Sequence, residues 1–397
     1  MANYSLTLRS LVFIIVSVLA GFGSFAQDPD LLDKVKGAWV GKLKVGGAEL
    51  TLVFNVSANN KDSVTVTMDS PDQGAKDIPT SQVKLSRDSL TVKVRSIMGV
   101  FHGAFNPGFT SLSGSWKQSG ITFPVELVHQ ENKFTLNRPQ EPKPPFPYLQ
   151  EEVVIKNNKA GIELSGTLTK PQNSGPFPAV ILVTGSGPQN RDEELMGHKP
   201  FLLLADYLTR NGIAVLRYDD RGVGKSGGVF STATTRDFAD DASALVDFLK
   251  SQADIDSAKI GLIGHSEGGI IAPMVAAQRP DVDFIVLMAG PGLTGEKIIL
   301  MQTALIAKAN GEDEKNIAES LELDEQVFKI LRKYQDNQVA SEKIRKMMND
   351  LNKKQSKANG EKEDGEAEIE AQVKTFTSPW FRYFLVTDPI SFLSSVK

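Results

Sequence analysis

The chain has 397 residues, 41% of them hydrophobic and 23% charged, which is enough to build two or three packed domains. A net charge of −4, with no cluster of Lys and Arg flanked by aromatics, argues against a nucleic-acid-binding protein. The absence of cysteine excludes disulfides, thiolate catalysis and zinc–thiolate sites.

Residues 1–26 form a segment of their own. Arg9 is the only side-chain charge before Asp28, and Leu11–Ala20 is an apolar run. That run is shorter than the ~20 residues of a membrane span. Ser24-Phe25-Ala26 then supplies small residues just before Gln27. This is the layout of a secretory signal peptide cleaved after Ala26. The mature protein is expected to be exported, periplasmic or secreted, with no stable membrane span. A cysteine-free chain suits that destination.

Residues 27–134 carry short β-type runs at regular spacing: Ala38–Val45, Glu49–Val56, Ser63–Met68, Gln82–Leu85, Ser89–Val94, Val100–Phe105, Ser111–Lys117 and Ile121–Val128. Turn residues such as Asn106-Pro107-Gly108 separate them. The pattern predicts a small antiparallel barrel or sandwich. Its opening, Gly37-Ala38-Trp39-Val40-Gly41, resembles the start of lipocalin-like barrels. A structural module is preferred over a ligand-binding barrel, because a fold does not by itself confer a function. Pro139, Pro142, Pro144, Pro145 and Pro147 then make residues 135–150 a stiff linker.

From residue 151 to 292 strands alternate with helices. Glu151–Lys156 and Ile162–Thr169 suggest an antiparallel pair, and Ala179–Val183 is a continuous apolar strand of the kind buried in parallel sheets. Leu202–Asn211 (helix), Ile213–Tyr218 (strand), Thr235–Gln252 (helix), Lys259–Ile263 (strand) and Phe284–Ala289 (strand) follow. This order predicts a doubly wound α/β sheet. Residues 293–397 are charged, helix-prone and without strand pattern, and read as a helical cap with a wet outer face, followed by the approach to further strands.

One motif organises the α/β region. Gly264-His265-Ser266-Glu267-Gly268 lies between an apolar strand and the small-residue stretch Gly269–Ala277. A bare G-x-S-x-G also fits an ordinary Gly-rich turn, but strand, turn and helix together are the context of a nucleophile elbow. A serine hydroxyl needs a base and an oriented carboxylate to attack a carbonyl. Ser266 is therefore the candidate nucleophile. The backbone N–H of Glu267, at the start of the following helix, is one candidate oxyanion donor.

Together with the loop Thr184–Glu193 and the stretch Asp219–Ser226, the elbow resembles the α/β-hydrolase superfamily. The wording Gly-His-Ser-Glu-Gly-Gly-Ile-Ile-Ala-Pro is especially similar to EstD-like carboxylesterases and serine aminopeptidase-like hydrolases. That resemblance implies hydrolysis of a small-molecule ester, with peptidase or amidase activity and non-catalytic ligand binding as alternatives. It implies no cofactor and no metal. It places the second oxyanion donor in the Gly185-Ser186-Gly187 turn, with Ser186 the choice and Gly187 second. Pro188 has no N–H to give. Asp219, Arg221 and Ser226 are expected to brace loops, Asp192 and Glu193 to form surface salt bridges, and His265 to pack away from the hydroxyl.

The fold's triad runs Ser, then Asp or Glu, then His. The four histidines are His102, His129, His198 and His265, and none follows Ser266. Asp388 comes before any candidate strand and is not assigned as the acid. The expectation is a C-terminally truncated fragment, inactive as it stands, rather than a protein that lost its base. Substrate, oligomeric state and the role of the β domain are not legible.

Overall fold

A computed structural model describes residues 29–396 apart from 46, 47, 60–62, 119, 133, 135–137, 196, 310 and 360–365. The segment read as a signal peptide lies outside the described residues. The chain divides into two compact units, Met1–Leu136 and Asn137–Lys397.

In the first unit a short helix, α1 (Pro29–Val35), precedes nine strands: β1 (Gly37–Val45), β2 (Ala48–Asn59), β3 (Ser63–Ser70), β4 (Ala75–Pro79), β5 (Gln82–Leu85), β6 (Ser89–Val94), β7 (Gly99–Phe105), β8 (Ser111–Gln118) and β9 (Ile121–Gln130). They form one curled antiparallel sheet in the order β4-β3-β2-β1-β9-β8-β7-β6-β5. Period-two burial makes the sheet: in β6, Leu90, Val92 and Val94 are buried while Lys93 between them is exposed. Trp39, Phe54, Phe101 and Trp116 fill the interior, and the Trp39 indole donates to Val35 O at 2.8 Å, tying α1 to the sheet. The sequence reading missed β4. Only Ala75 and Ile78 in it are even half-buried, and it ends on Pro79, so it lacks an apolar alternation to read.

The second unit holds β10 (Leu149–Asn157), β11 (Ile162–Lys170), β12 (Phe177–Val183), α2 (Pro200–Arg210), β13 (Ala214–Tyr218), α3 (Thr235–Lys250), β14 (Ile255–His265), α4 (Gly268–Ala276) and β15 (Phe284–Met288). The sheet order is β10-β11-β13-β12-β14-β15. β10, β11 and β13 pair antiparallel, whereas β13, β12, β14 and β15 run parallel. Alternate residues of the central strands face different helices. Ala179, Ile181, Val183 and Leu216 pack with residues of α3 and α4, and Val180, Leu182 and Val215 pack with Phe201 and Ala205 of α2. Burying each of the Val, Leu and Ile side chains among them contributes roughly 1.5–3 kcal/mol.

α5 (Gly295–Ala309), α6 (Glu314–Lys333), α7 (Asn337–Asn359), α8 (Glu366–Phe376), α9 (Pro379–Val386) and α10 (Pro389–Leu393) complete the unit. Val327, Phe328, Leu331, Ile344, Ile369, Val373 and Phe381 form a core of their own among them. Asp388 caps α10, accepting from Ile390 N at 3.1 Å. Among the described residues no helix is long and apolar enough to cross a membrane.

Candidate active site at the elbow after β14

Parallel pairing of β12 with β14 sets Val183 opposite Gly264. The loop after β12 and the turn after β14 therefore leave the sheet side by side, at the carboxyl ends of the strands, where open α/β sheets place their ligands. The turn is tight. A Cβ on Gly264 would lie 2.0 Å from Gly268 O, and one on Gly268 would lie 2.2 Å from Val183 O. Ser266 itself takes φ 50°, the left-handed region that costs a non-glycine residue of order 1–3 kcal/mol. Its N–H donates to Met288 O at 2.9 Å, which anchors the strained residue to β15.

Ser266 lines a cavity of about 330 Å³ together with Ser186, Ala289, Gly290, Gln302, Trp380 and Phe384. A larger hollow of about 530 Å³ lies between α6, α7 and α8, with Glu312, Glu319, Glu322 and Glu368 on its walls and no elbow residue among them. The smaller cavity is where a nucleophile meets an apolar wall, so it is the candidate site. Among the described residues, the N–H groups of Ser186, Gly187 and Glu267 donate to no backbone or side-chain acceptor, and the Ser266 hydroxyl makes no hydrogen bond. Gly187 adopts φ 97°, which a side chain would resist.

Buried carboxylates hold this loop from below. Asp220 accepts from Thr184 Oγ1 at 2.8 Å and from Gln189 N at 2.9 Å, gripping both ends of the 184–189 turn. Burial pushes its carboxyl up to about 8, against the pull of those two donors. Glu193 accepts from Gly185 N at 2.8 Å and pairs with His265 Nδ1 at 2.7 Å. Glu267 is 2% exposed, and its Oε1 accepts from Thr235 Oγ1 at 2.7 Å and Trp380 Nε1 at 2.8 Å. Burial raises its carboxyl above the ordinary range, and those donors with the Ser186 hydroxyl pull it back.

Two expectations are corrected. Asp192 and Glu193 are not surface pairs: Asp192 bonds the buried Arg217 guanidinium, and Glu193 is itself buried. His265 is not simply packed away, because it is half-exposed and oriented by Glu193. No spacing rule links position 193 to 265. Only the β12–β14 pairing brings them together.

The bracing residues do brace. Asp219 takes Arg191 in a fork, with Nε at 3.1 Å and NH2 at 2.8 Å, and Arg221 forks onto Asp241 at 2.6 and 2.8 Å. Ser226 Oγ donates to Asp219 O at 2.7 Å and accepts from Ser165 N at 2.9 Å.

Parts of the chain are similar to known proteins. Residues 199–350 match the family described as "Serine aminopeptidase, S33". Esterase EstD of Thermotoga maritima is 34% identical over 162 residues, covering 40% of this chain and 39% of EstD. Dipeptidyl peptidase 8 of Mus musculus is 30% identical over 177 residues, covering 42% of this chain and 19% of that protein. Among solved structures, a Pyrococcus furiosus esterase overlaps 41% of this chain and 57% of its own, at 24% identity and a TM-score of 0.35. The chain thus spans about two fifths of the length of EstD. The second unit has the α/β-hydrolase fold, and the chain is similar over part of its length to EstD and to serine aminopeptidase-like hydrolases.

Proposed function

We propose that the protein hydrolyses small carboxylic esters through an acyl-enzyme on Ser266. The observation that carries this reading is Ser266 at φ 50° on the wall of the cavity, directly before the unengaged N–H of Glu267. The hydroxyl oxygen attacks the ester carbonyl carbon, and its proton passes by way of a base to the departing alcohol. Water then attacks the acyl-enzyme and releases the acid and the free serine. The oxyanion is held by the N–H of Glu267 and that of Ser186, with Gly187 as the second choice. Each such donor is worth ~10²–10³ in rate.

The base is the part this reading must supply from elsewhere. No histidine follows Ser266, and His265 is turned to Glu193 rather than bonded to the hydroxyl. Neither the base nor its acid is assigned among the residues of this site, so the 397 residues alone should turn over no ester. β15 lies at an edge of the sheet, and Phe284, Val286 and Leu287 in it are exposed. Export, by cleavage after Ala26, is part of the same proposal.

Peptide hydrolysis is the second reading, favoured by the similarity to serine aminopeptidases and to dipeptidyl peptidase 8. The test is labelling of the full-length gene product with a fluorophosphonate, followed by turnover of p-nitrophenyl esters and aminoacyl anilides. Labelling lost in Ser266→Ala, with ester turnover exceeding anilide turnover, is the expected outcome. Anilide preference favours the peptidase. Robust ester hydrolysis by the 397-residue chain, abolished in Ser266→Ala, would show that the chain holds a base of its own.

A further inference from the structure

An oxyanion donor needs only a backbone N–H, yet the residue at position 267 is a glutamate whose side chain is 2% exposed. Burying a carboxylate is costly unless its oxygens are hydrogen-bonded, so the partners it has acquired show what its burial achieves. Thr235 is fully buried at the start of α3, and Trp380 sits in the first turn of α9. Both donate to the same oxygen, at 2.7 and 2.8 Å. Trp380 stacks on Phe384 with ring centres 5.3 Å apart, and both rings line the cavity that contains Ser266. The carboxylate therefore joins a fixed point, the first residue after the nucleophile, to the aromatic wall contributed by α9.

We propose that the Glu267 side chain is a positioning residue that latches Trp380 in place as the wall of the Ser266 cavity, and that the pair sets the size of acyl group accepted. The proposal rests on the ester-hydrolase reading of Ser266. A cavity of about 330 Å³ is at the small end of ligand sites. With the indole held, it takes short acyl groups. With the indole released, it opens to longer ones.

Two measurements test this, one of which needs no turnover. The protein has three tryptophans, so 15N labelling gives three indole N–H resonances, and Trp380 is the one missing in Trp380→Phe. Glu267→Leu should move that resonance towards an unbonded position and leave those of Trp39 and Trp116 in place. Glu267→Gln keeps an oxygen for both donors and should restore it. An unmoved Trp380 resonance in Glu267→Leu overturns the latch.

In the full-length gene product, Glu267→Leu leaves the Trp380 ring whole and removes the acceptor of its N–H. It should raise the kcat/KM ratio of p-nitrophenyl octanoate to acetate by roughly tenfold, the effect of one lost hydrogen bond to a charged group. An unchanged ratio overturns the specificity claim. Wild-type protein that hydrolyses no ester defeats the esterase reading instead, and the indole resonance then decides the latch by itself.

Discussion

The two units bury different things. Among the described residues, the first unit buries a single carboxylate, Asp69, and its interior is otherwise built on Trp39, Phe54, Phe101 and Trp116. The second buries Glu193, Asp219, Asp220, Asp241 and Glu267, around the carboxyl ends of its parallel strands. Apolar packing, aliphatic and aromatic together, is enough to hold a curled sheet. Several buried acids near one strand end are not needed for that, and each has a loop, a neighbouring side chain or the cap to hold. Apolar burial in the first unit sustains shape, and polar burial in the second fixes positions near a nucleophile.

The contrast can be broken at its strongest point first. Trp116→Ala should lower the stability of the first unit by about 3–5 kcal/mol, the cost of removing a buried aromatic, as read by denaturant unfolding. Fluorophosphonate labelling of Ser266 in the same variant of the full-length gene product should keep its rate under native conditions. A fall in labelling parallel to the fall in stability would mean that the two kinds of core are not separable.

Asp220 tests the other side. Its folded carboxyl titrates at about 8, whereas an unfolded aspartate titrates at about 3.9. A raised value means that the folded state holds the proton more tightly. The stability this provides is present below about pH 4 and is lost as pH climbs through about 8. Asp220→Asn should make the fall of the thermal-unfolding midpoint between those limits shallower, with Asp241 and Glu267, also raised by burial, supplying the rest, while an unchanged slope would show that Asp220 is not a source of it.

Smaller effects follow. Thr234 caps α3 in a reciprocal box with Asp237, its N–H donating to Asp237 Oδ2 at 2.8 Å. Thr234→Ala should cost about 1 kcal/mol, seen as a shift of the denaturation midpoint of the second unit. Lys346→Ala removes an exposed pair with Asp350 and should change stability by less than about 0.5 kcal/mol in the same assay.

Most of the second unit could be read from the chain because its signals are local. Ala179–Val183 is a continuous apolar run, and Gly264 to Gly268 carries its own steric logic. β14 starts earlier than its apolar core suggests, at Ile255, because Asp256, Ser257 and Lys259 obscure the pattern. What escaped was the network under the oxyanion turn. Asp220, Glu193 and the Glu267 side chain act through partners up to 113 positions away. Their roles depend on strand register and helix docking, which a spacing rule does not encode. Glu267 was read for its N–H alone, and the reach of its side chain to Trp380 emerges only once α9 is packed.

The bond from Ser266 N to Met288 O has a mechanical meaning. β15 is one of the two edge strands of its sheet, and Phe284, Val286 and Leu287 in it are exposed. The nucleophile's strained backbone is thus hung from an edge strand in which no residue is fully buried. Whatever pairs with that edge pulls on the elbow through one peptide. Fraying there slackens the serine while the buried centre of the sheet stays intact. The elbow is as taut as its outermost strand, and the amide of Ser266 is a strain gauge for it, readable by hydrogen exchange.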